Sequence, residues 1–428
     1  MNDSRNLAVV IGAGAGGLTA AAALSPFFKE VRVLDKDTLP DSPQIRKGVG
    51  QGAHLHSLLL GGSKILEHFF PNILDDLTKA GSNRIRAGVD QQIHEYGTWL
   101  PERDLGFDIY TQSRFLLEHV IRSRVAAIPN ITISDHIHVD KINLNDDGKV
   151  TGVTLHSNMQ SKNDNNSNEK SELVSDIVVD CSGRGGKFAR QLSKTFEDLG
   201  KVDEIQSNIV YASAFIKKPE QWLNHRENIL IIAEPDKMAG GALIDIEDNR
   251  WCVSLHGRNG LIPPSDLEGW KDFAKNLPNQ RIAERLETAE HIEGVYIYKK
   301  PLSTWRRIDL AKTLPQNYFP LGDVVNSINP TFGQGMTIAF GHAMALHDAF
   351  AQELSSEETQ KAYVTEASKH SRKAWRVCAA YDSSFKTDDA KSQKNFEILR
   401  SLSLKKQSEA INNPETHLQL FRQAQMLD

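Results

Sequence analysis

From Leu7 to Phe28 the chain carries no charged side chain over 22 positions, yet small residues interrupt the apolar ones in an ordered way. Leu7 to Ile11 is an apolar run that predicts a buried strand. Gly12-Ala-Gly14-Ala-Gly-Gly17 follows, and an alanine-rich segment reaching about Ser25 predicts a helix. A second apolar strand, Val31 to Leu34, ends in Asp35. Together they make a βαβ unit of about thirty residues, the unit a dinucleotide fold requires. An uncharged stretch of this length would on length alone license a membrane span, but its glycines and alanines argue against one. Asp3 and Arg5 precede it and no small-residue cleavage site is evident, so a signal peptide is not expected.

Further along, the polar, glycine-rich run Arg46 to His56 leads into a helix expected from about Ser57 to Phe70, which Pro71 ends. Tyr110 to Val125 predicts a helix with Phe115, Leu116, Val120 and Ile121 on one face. The runs Ile131–Ile133, Ile137–Leu144, Val150–Leu155 and Leu173–Val179, with Asp146-Asp147-Gly148 between them, predict a β-meander returning to the first sheet. Ser157 to Glu172 is too polar to pack and predicts a mobile hairpin tip. Asn208–Ile216, Ile229–Ala233 and a hairpin of Gly241–Ile246 with Trp251–His256 predict a second sheet. From Phe332 onward the pattern becomes mainly helical, with Phe340, Ala343, Met344, His347 and Phe350 on one face and charge on the others.

The glycine turn has a physical task at each position. Gly12 permits the tight turn, Gly14 admits a pyrophosphate close to the backbone, and Gly17 lets helix and strand pack closely; the helix start offers free N–H groups and positive partial charge. Asp35 lies eighteen residues after Gly17, where it can accept hydrogen bonds from ribose hydroxyls. A second signal is Tyr318-Phe-Pro-Leu-Gly322-Asp323, an apolar strand ending in an acid, followed by Asn329-Pro330-Thr-Phe-Gly333-Gln-Gly335-Met336 and a helix. An acid suited to a polyol hydroxyl, with a helix N-terminus beyond it, points to the far end of a long, bent dinucleotide.

The 428 residues are enough for two or three domains at roughly 150 residues each. With 39% hydrophobic and 25% charged residues the composition is ordinary globular. Fifty basic against 55 acidic residues, net charge −5, give nothing that argues for a nucleic-acid or anionic-membrane partner and favour a small-molecule ligand. Cys181, Cys252 and Cys378, an odd and scattered set, predict reduced thiols and a cytoplasmic protein.

Gly12-x-Gly14-x-x-Gly17 with Asp35, Gly322-Asp323 and Pro330-x-x-Gly333-Gln-Gly335 together resemble the FAD-dependent class A monooxygenases related to para-hydroxybenzoate hydroxylase. The Gln51-Gly-x-His54-x-His56 segment and the Asn329 to Met336 run look closer to bacterial polyether epoxidases and related natural-product oxygenases. The resemblance implies an α/β fold in which an FAD-binding Rossmann-like domain of the glutathione-reductase type (residues 1–80, 105–205 and 305–350) is interleaved with a β-sheet substrate domain (81–104 and 206–304). A helical C-terminal region (351–428) follows.

It further implies that Gly12, Gly14 and Gly17 hold the pyrophosphate and Asp35, with Lys36 beside it, the adenosine ribose. Arg46 and Arg114 would reach the cofactor from flanking segments, Gly322 and Asp323 would bind the ribityl chain, and N–H groups around Gly333, Gly335 and Met336 would face the flavin. The implied reaction inserts one oxygen atom from O2, through a flavin C4a-hydroperoxide, into a largely apolar biosynthetic intermediate by epoxidation, hydroxylation or Baeyer–Villiger oxidation. NAD(P)H, bound transiently, or a separate flavin reductase would supply electrons, and no metal is implied. Val178-Val-Asp180-Cys-Ser-Gly183 departs from the family's middle Asp-Gly motif, which puts a matching NADPH contact in doubt. Two competitors share the scaffold: a reductase of the geranylgeranyl-reductase type and a non-catalytic interaction protein.

Several residues invite a simpler reading. His54 and His56, spaced i, i+2 without carboxylate or thiolate neighbours, make a poor metal set, and a structural or flavin-adjacent role is expected. Trp251, Phe215, Tyr296 and Tyr298 are expected to fill core. Arg306-Arg307 is expected on a solvated face, and Cys181 is not expected to be reactive.

Overall fold

The apolar runs pair as their burial requires. The structure, a computed structural model, describes residues 5–157, 170–386 and 389–427. Leu7–Ile11 lies at the centre of a five-stranded parallel sheet, flanked by Ile177–Asp180 and Glu30–Leu34, with Tyr318–Pro320 and Ile131–Ser134 at the edges. Parallel strands covered on both faces read as continuous apolar runs, which is why Leu7–Ile11 shows no alternation. Helices Ala15–Leu24, Arg114–Ala126 and Gly335–Phe350 cover one face.

A three-stranded antiparallel ladder, Lys170–Val174, Val150–Ser157 and Ile137–Leu144, lies outside this sheet. Ile131–Ser134 belongs to the parallel sheet and not to the meander, because its partner is Glu30–Leu34. The run expected as one strand from Leu173 to Val179 breaks at Ser175-Asp176 into two strands of different sheets. Most of the polar tip, residues 158–169, lies outside the described residues, while Lys170 to Glu172 are strand.

An eight-stranded sheet forms the second body. Its long strands Val202–Lys217, Ile292–Arg306 and Arg250–Arg258 are neighbours, followed by Ala239–Ile246, Asn228–Ile231, Gln91–Glu95 and Thr98–Trp99, with Asn326–Ser327 at the opposite edge. Leu267–Ala274 and Arg281–Glu287 pack on it around the fully buried Trp270.

Three helices complete the chain. Ser356–Ser384 is opened by a Ser355/Glu358 capping box, and Ala390–Asn412 and Pro414–Ala424 are capped by the side chains of Asp389 and Asn413. The last one returns to the body built on the parallel sheet, where Gln425 accepts the N–H groups of Leu60 and Gly61. Among the described residues, no helix is long and apolar enough to cross a membrane.

Two helices differ from their sequence patterns. The helix expected from Tyr110 begins at Arg114, because Tyr110 is in the strand Asp108–Thr111 and the Ser113 side chain accepts the Leu116 N–H at 3.1 Å. Gly335–Phe350 is buried nearly all round and not on one face, since it is wedged between Ala15–Leu24 and Ser356–Ser384.

Candidate active site

At Gly12, with φ at +104°, a Cβ would stand 2.6 Å from the Cys181 carbonyl oxygen. The Ala13 N–H donates to Asp35 Oδ2 at 2.6 Å, so the acid that ends the second strand also braces the glycine turn. In helix Ala15–Leu24 the first intrahelical bond runs from Leu18 N–H to the Gly14 carbonyl at 2.9 Å. The N–H groups of Ala15, Gly16 and Gly17 therefore have no helical acceptor. They stand at one end of a cavity lined by Gly14, Ala15, Gly16 and Gly17.

A buried charge network lies behind this turn. Arg46 Nη1 is 3.2 Å from Asp35 Oδ2 and from Asp37 Oδ2, its Nε donates to Glu118 Oε1 at 2.6 Å, and its Nη2 donates to the Ala13 carbonyl at 3.2 Å. The second oxygen of Glu118 meets Arg114 Nη2 at 3.2 Å. Burial disfavours the Arg46 charge, but Glu118, Asp35 and Asp37 outweigh it and raise the guanidinium above its ordinary pKa. At Arg114 burial prevails and the pKa falls. Arg114 lines the cavity, and its Nη1 is buried without a partner among the described residues. Glu118 escaped the sequence reading; its only signal was an acid set in the apolar face of Leu117, Val120 and Ile121.

The other end of the cavity is built by Leu321, Gly322 and Asp323, then Asn329, Pro330, Gly333, Gly335 and Met336. Burial pushes the Asp323 carboxyl up, against the opposing pull of Lys300, Arg114 and Arg184. Lys300 Nζ donates to the Ser327 carbonyl at 3.1 Å and Oγ at 2.6 Å. The Gly322 N–H donates to His342 Nδ1 at 3.2 Å, and His342 Nε2 bonds Ser371 Oγ at 2.9 Å. Nδ1 therefore bears the lone pair and Nε2 the hydrogen. At Gly335, no atom lies within 4 Å of where a Cβ would stand.

His342 makes the site acid-sensitive. Burial, aided by the charge of His370, pushes its pKa down to about 3, while an unfolded imidazole titrates near 6.5. Its folded pKa is depressed, so its contribution is complete above about pH 6.5 and is lost as pH falls toward the folded value, at about 1.4 kcal/mol per pH unit. Protonation also places a hydrogen where the Gly322 N–H already points. Urea unfolding of wild type is expected to weaken between about pH 6.5 and 4, and His342→Gln to flatten that slope by about one proton; equal slopes would remove the assignment.

Between the two ends, the cavity continues against the eight-stranded sheet. Leu55, Leu230, Ile231, Ile232 and Ala242 make its apolar wall, and His54, His56, Tyr211, Ser254, His256 and Tyr298 add polar groups. The Tyr211 hydroxyl donates to Asn329 Oδ1 at 2.9 Å, and Asn329 Nδ2 donates to Asp382 Oδ1 at 2.7 Å. Asp382 pairs with Arg258 Nη2 at 3.0 Å. A helix beyond the sequence motifs thus anchors the loop that carries Pro330 and Gly333.

Of the expected site residues, Gly14, Gly17, Arg114, Gly322, Asp323, Gly333, Gly335 and Met336 line this cavity. Gly12, Asp35 and Arg46 stand behind its glycine turn. Lys36 is exposed and does not line it. Tyr298 lines the cavity instead of filling core, while Phe215 and Trp251 are buried and Tyr296 is exposed. Arg306 is not on a solvated face; it is buried, donating to the carbonyls of Leu199 and Val324, and Arg307 pairs with Asp203 and Asp309. Burial raises the Cys181 thiol well above its ordinary pKa, which suits an unreactive group.

The residues present fit FAD. Two sets of free helix-start N–H groups, an acid between them, open space at Gly14 and Gly335, and the orphaned Arg114 Nη1 share one cavity.

Comparison with known proteins agrees. Residues 106–378 match a family described as the FAD binding domain. A curated relative, Protein Rv3254 of Mycobacterium tuberculosis, is 31% identical over 347 residues, spanning 79% of this chain and 71% of the relative. Solved structures share the fold at low identity. The flavin-dependent brominase Bmp2 is 13% identical with a TM-score of 0.70, covering 98% of this chain and 92% of that one. PqsL of Pseudomonas aeruginosa, solved in complex with 2-aminobenzoylacetate, is 15% identical with a TM-score of 0.68, covering 92% and 98%. The fold and cavity are those of an FAD-binding protein. The chain belongs to the FAD-binding family whose model it matches.

Proposed function

We propose that the protein inserts one oxygen atom from O2 into a largely apolar biosynthetic intermediate by epoxidation, hydroxylation or insertion beside a carbonyl. The observation that carries this reading is a single cavity, joining the Gly14–Gly17 turn, Asp323 and the Gly335–Met336 helix start to a chamber walled by Leu55, Leu230, Ile231 and Ala242. Around it, the turn of Gly12, Gly14 and Gly17 would hold the pyrophosphate of FAD, Asp35 and Arg46, behind that turn, the adenosine side, Arg114 and Asp323 the middle, and the N–H groups of Gly335 and Met336 the flavin end. When bound, FAD supplies the electron transfer and oxygen activation that no side chain here can perform. The protein's part is to orient the substrate, keep water from it, and stabilise negative charge at the Gly335 helix start. Electrons would come from NAD(P)H bound transiently or from a separate reductase. Cys181, Cys252 and Cys378 are unpaired, which supports a reducing, cytoplasmic setting.

The test is NAD(P)H-dependent turnover of apolar aromatic and alicyclic compounds under isotopically labelled O2. A product heavier by one labelled oxygen is expected. Turnover that continues without O2, or a halogenated product without the label, would replace this reading.

Asp323 offers a separate check. Asp323→Ala removes hydrogen-bond acceptors, each worth about 1.5–3 kcal/mol when a charged group is involved, and is expected to weaken FAD retention at least about tenfold with little change in melting temperature. Full flavin occupancy after gel filtration would withdraw the assignment.

A further inference from the structure

The loop that follows Arg46 carries His54 into the cavity wall, with only 7% of the residue exposed. Its Nδ1 lies 2.7 Å from Ser213 Oγ, and Ser213 donates its own hydroxyl proton to Ser254 Oγ, also at 2.7 Å. A hydroxyl has one proton to give. With that proton committed to Ser254, Ser213 can only accept from His54, so the imidazole carries its hydrogen on Nδ1 and bears a bare lone pair on Nε2. That Nε2 is buried and has no partner among the described residues.

Neither neighbouring aromatic ring bonds it. The Tyr211 ring stands 6.4 Å away with its hydroxyl donated to Asn329, and the Tyr298 ring stands 5.5 Å away with its oxygen accepting from Arg184 Nη1. Burial pushes the His54 pKa down to about 4, so the ring stays an acceptor near neutrality. A buried acceptor left unpaired costs more than a made hydrogen bond contributes on balance. A cavity wall that sets a fixed, unsatisfied acceptor beside apolar side chains selects a ligand with a matching donor. His256 Nε2, on the same wall, is also buried without a partner among the described residues, but it is the Ser213–Ser254 chain that fixes the tautomer at His54.

We propose that His54 is a specificity-determining residue. Its Nε2 accepts a hydrogen bond from a single hydroxyl or N–H on an otherwise apolar substrate, and this bond sets which carbon faces the cofactor. Ser213 and Ser254 are positioning residues, holding the tautomer that keeps Nε2 free of hydrogen. The inference rests on the oxygenase reading for its word "substrate", but the hydrogen bond can be measured without turnover.

The experiment titrates FAD-loaded protein, without reductant, with two matched pairs: indole against N-methylindole, and benzyl alcohol against benzyl methyl ether. Binding is read from the change in flavin absorption and by calorimetry. The donor of each pair is expected to bind at least tenfold tighter than its methylated partner. His54→Phe should bring both ratios close to one with FAD retention unchanged, His54→Gln should restore part of the preference through its amide oxygen, and Ser213→Ala should reduce it by freeing the tautomer. Equal binding within each pair, no binding of any probe, a preference that survives His54→Phe, or flavin loss in both His54 variants would each overturn the proposal. A preference that holds while labelled O2 yields no oxygenated product would sink the oxygenase reading and leave the His54 acceptor standing.

Discussion

Gly17→Ala is expected to abolish FAD binding and destabilise the fold, whereas Gly14→Ala, three residues earlier, is expected to spare the fold and weaken only the cofactor. At Gly17 a Cβ would stand 1.9 Å from the Gly12 carbonyl oxygen and 3.3 Å from the Cys181 side chain. The obstructing atom is backbone of the central strand's own turn, so relief means moving strand and helix apart in a parallel sheet whose core is close-packed. At Gly14 a Cβ would meet only Arg46 Nη2, at 4.0 Å, so the protein has room for it. What it would obstruct is the approach of a pyrophosphate to the helix-start N–H groups. Thermal melts of the flavin-free forms and FAD titrations separate the two effects: a large loss of melting temperature for Gly17→Ala, and an unchanged melt with about a hundredfold weaker FAD binding for Gly14→Ala, equivalent to roughly 3 kcal/mol. A Gly14→Ala protein that binds FAD like wild type would mean the cofactor does not cross this turn.

Asp382→Ala is the second large effect. Arg258 and Asp382 are both fully buried, 124 residues apart in sequence and 3.0 Å apart in space. Asp382 also accepts from Asn329 Nδ2 at 2.7 Å and from Ser303 Oγ at 3.3 Å, and Arg258 Nη1 donates to the Ser207 carbonyl at 3.0 Å. Removing one partner strands a buried charge, which costs about 3–5 kcal/mol, far more than an exposed pair contributes. Urea unfolding of Asp382→Ala should show that loss. The double replacement Arg258→Met with Asp382→Leu should recover much of it, because no charge is then left unpaired. Its flavin affinity should nevertheless stay reduced, since Asn329 loses its anchor and the Pro330 to Gly333 loop is freed. A double variant that binds FAD as wild type does would separate this ion pair from the site.

Strands and turns were legible where their signals are local. Leu7–Ile11 matches the apolar run at both ends, and the hairpin of Ala239–Ile246 with Arg250–Arg258 was visible as two β-rich runs around Glu247-Asp248-Asn249. Less legible was the helix expected from Tyr110, because a helical pattern cannot show that Tyr110 faces Arg84 across a two-stranded ladder. Gly335–Phe350 misled for a related reason: a helix wedged between two others is apolar on several sides, and a one-face pattern drawn on it describes only part of its burial. Arg306 looked solvated because arginines usually are, yet two backbone carbonyls receive it in the interior.

The chain by itself determined the glycine turn between strand and helix, the acid that ends the second strand, and the second acid and helix start about three hundred residues later. These depend on residue type at short spacing: glycine where a Cβ cannot fit, an acid at a strand end, free N–H groups at a helix start. Only the tertiary structure decided which side chains complete the cavity. Glu118 behind Arg46, His342 beneath Gly322, Ser213 fixing the His54 tautomer and Asp382 holding Asn329 act across separations of 72, 20, 159 and 53 residues. Hydrogen bonds and buried ion pairs depend on distance and direction at the scale of tenths of an ångström, and that information exists only once the sheets and helices have packed.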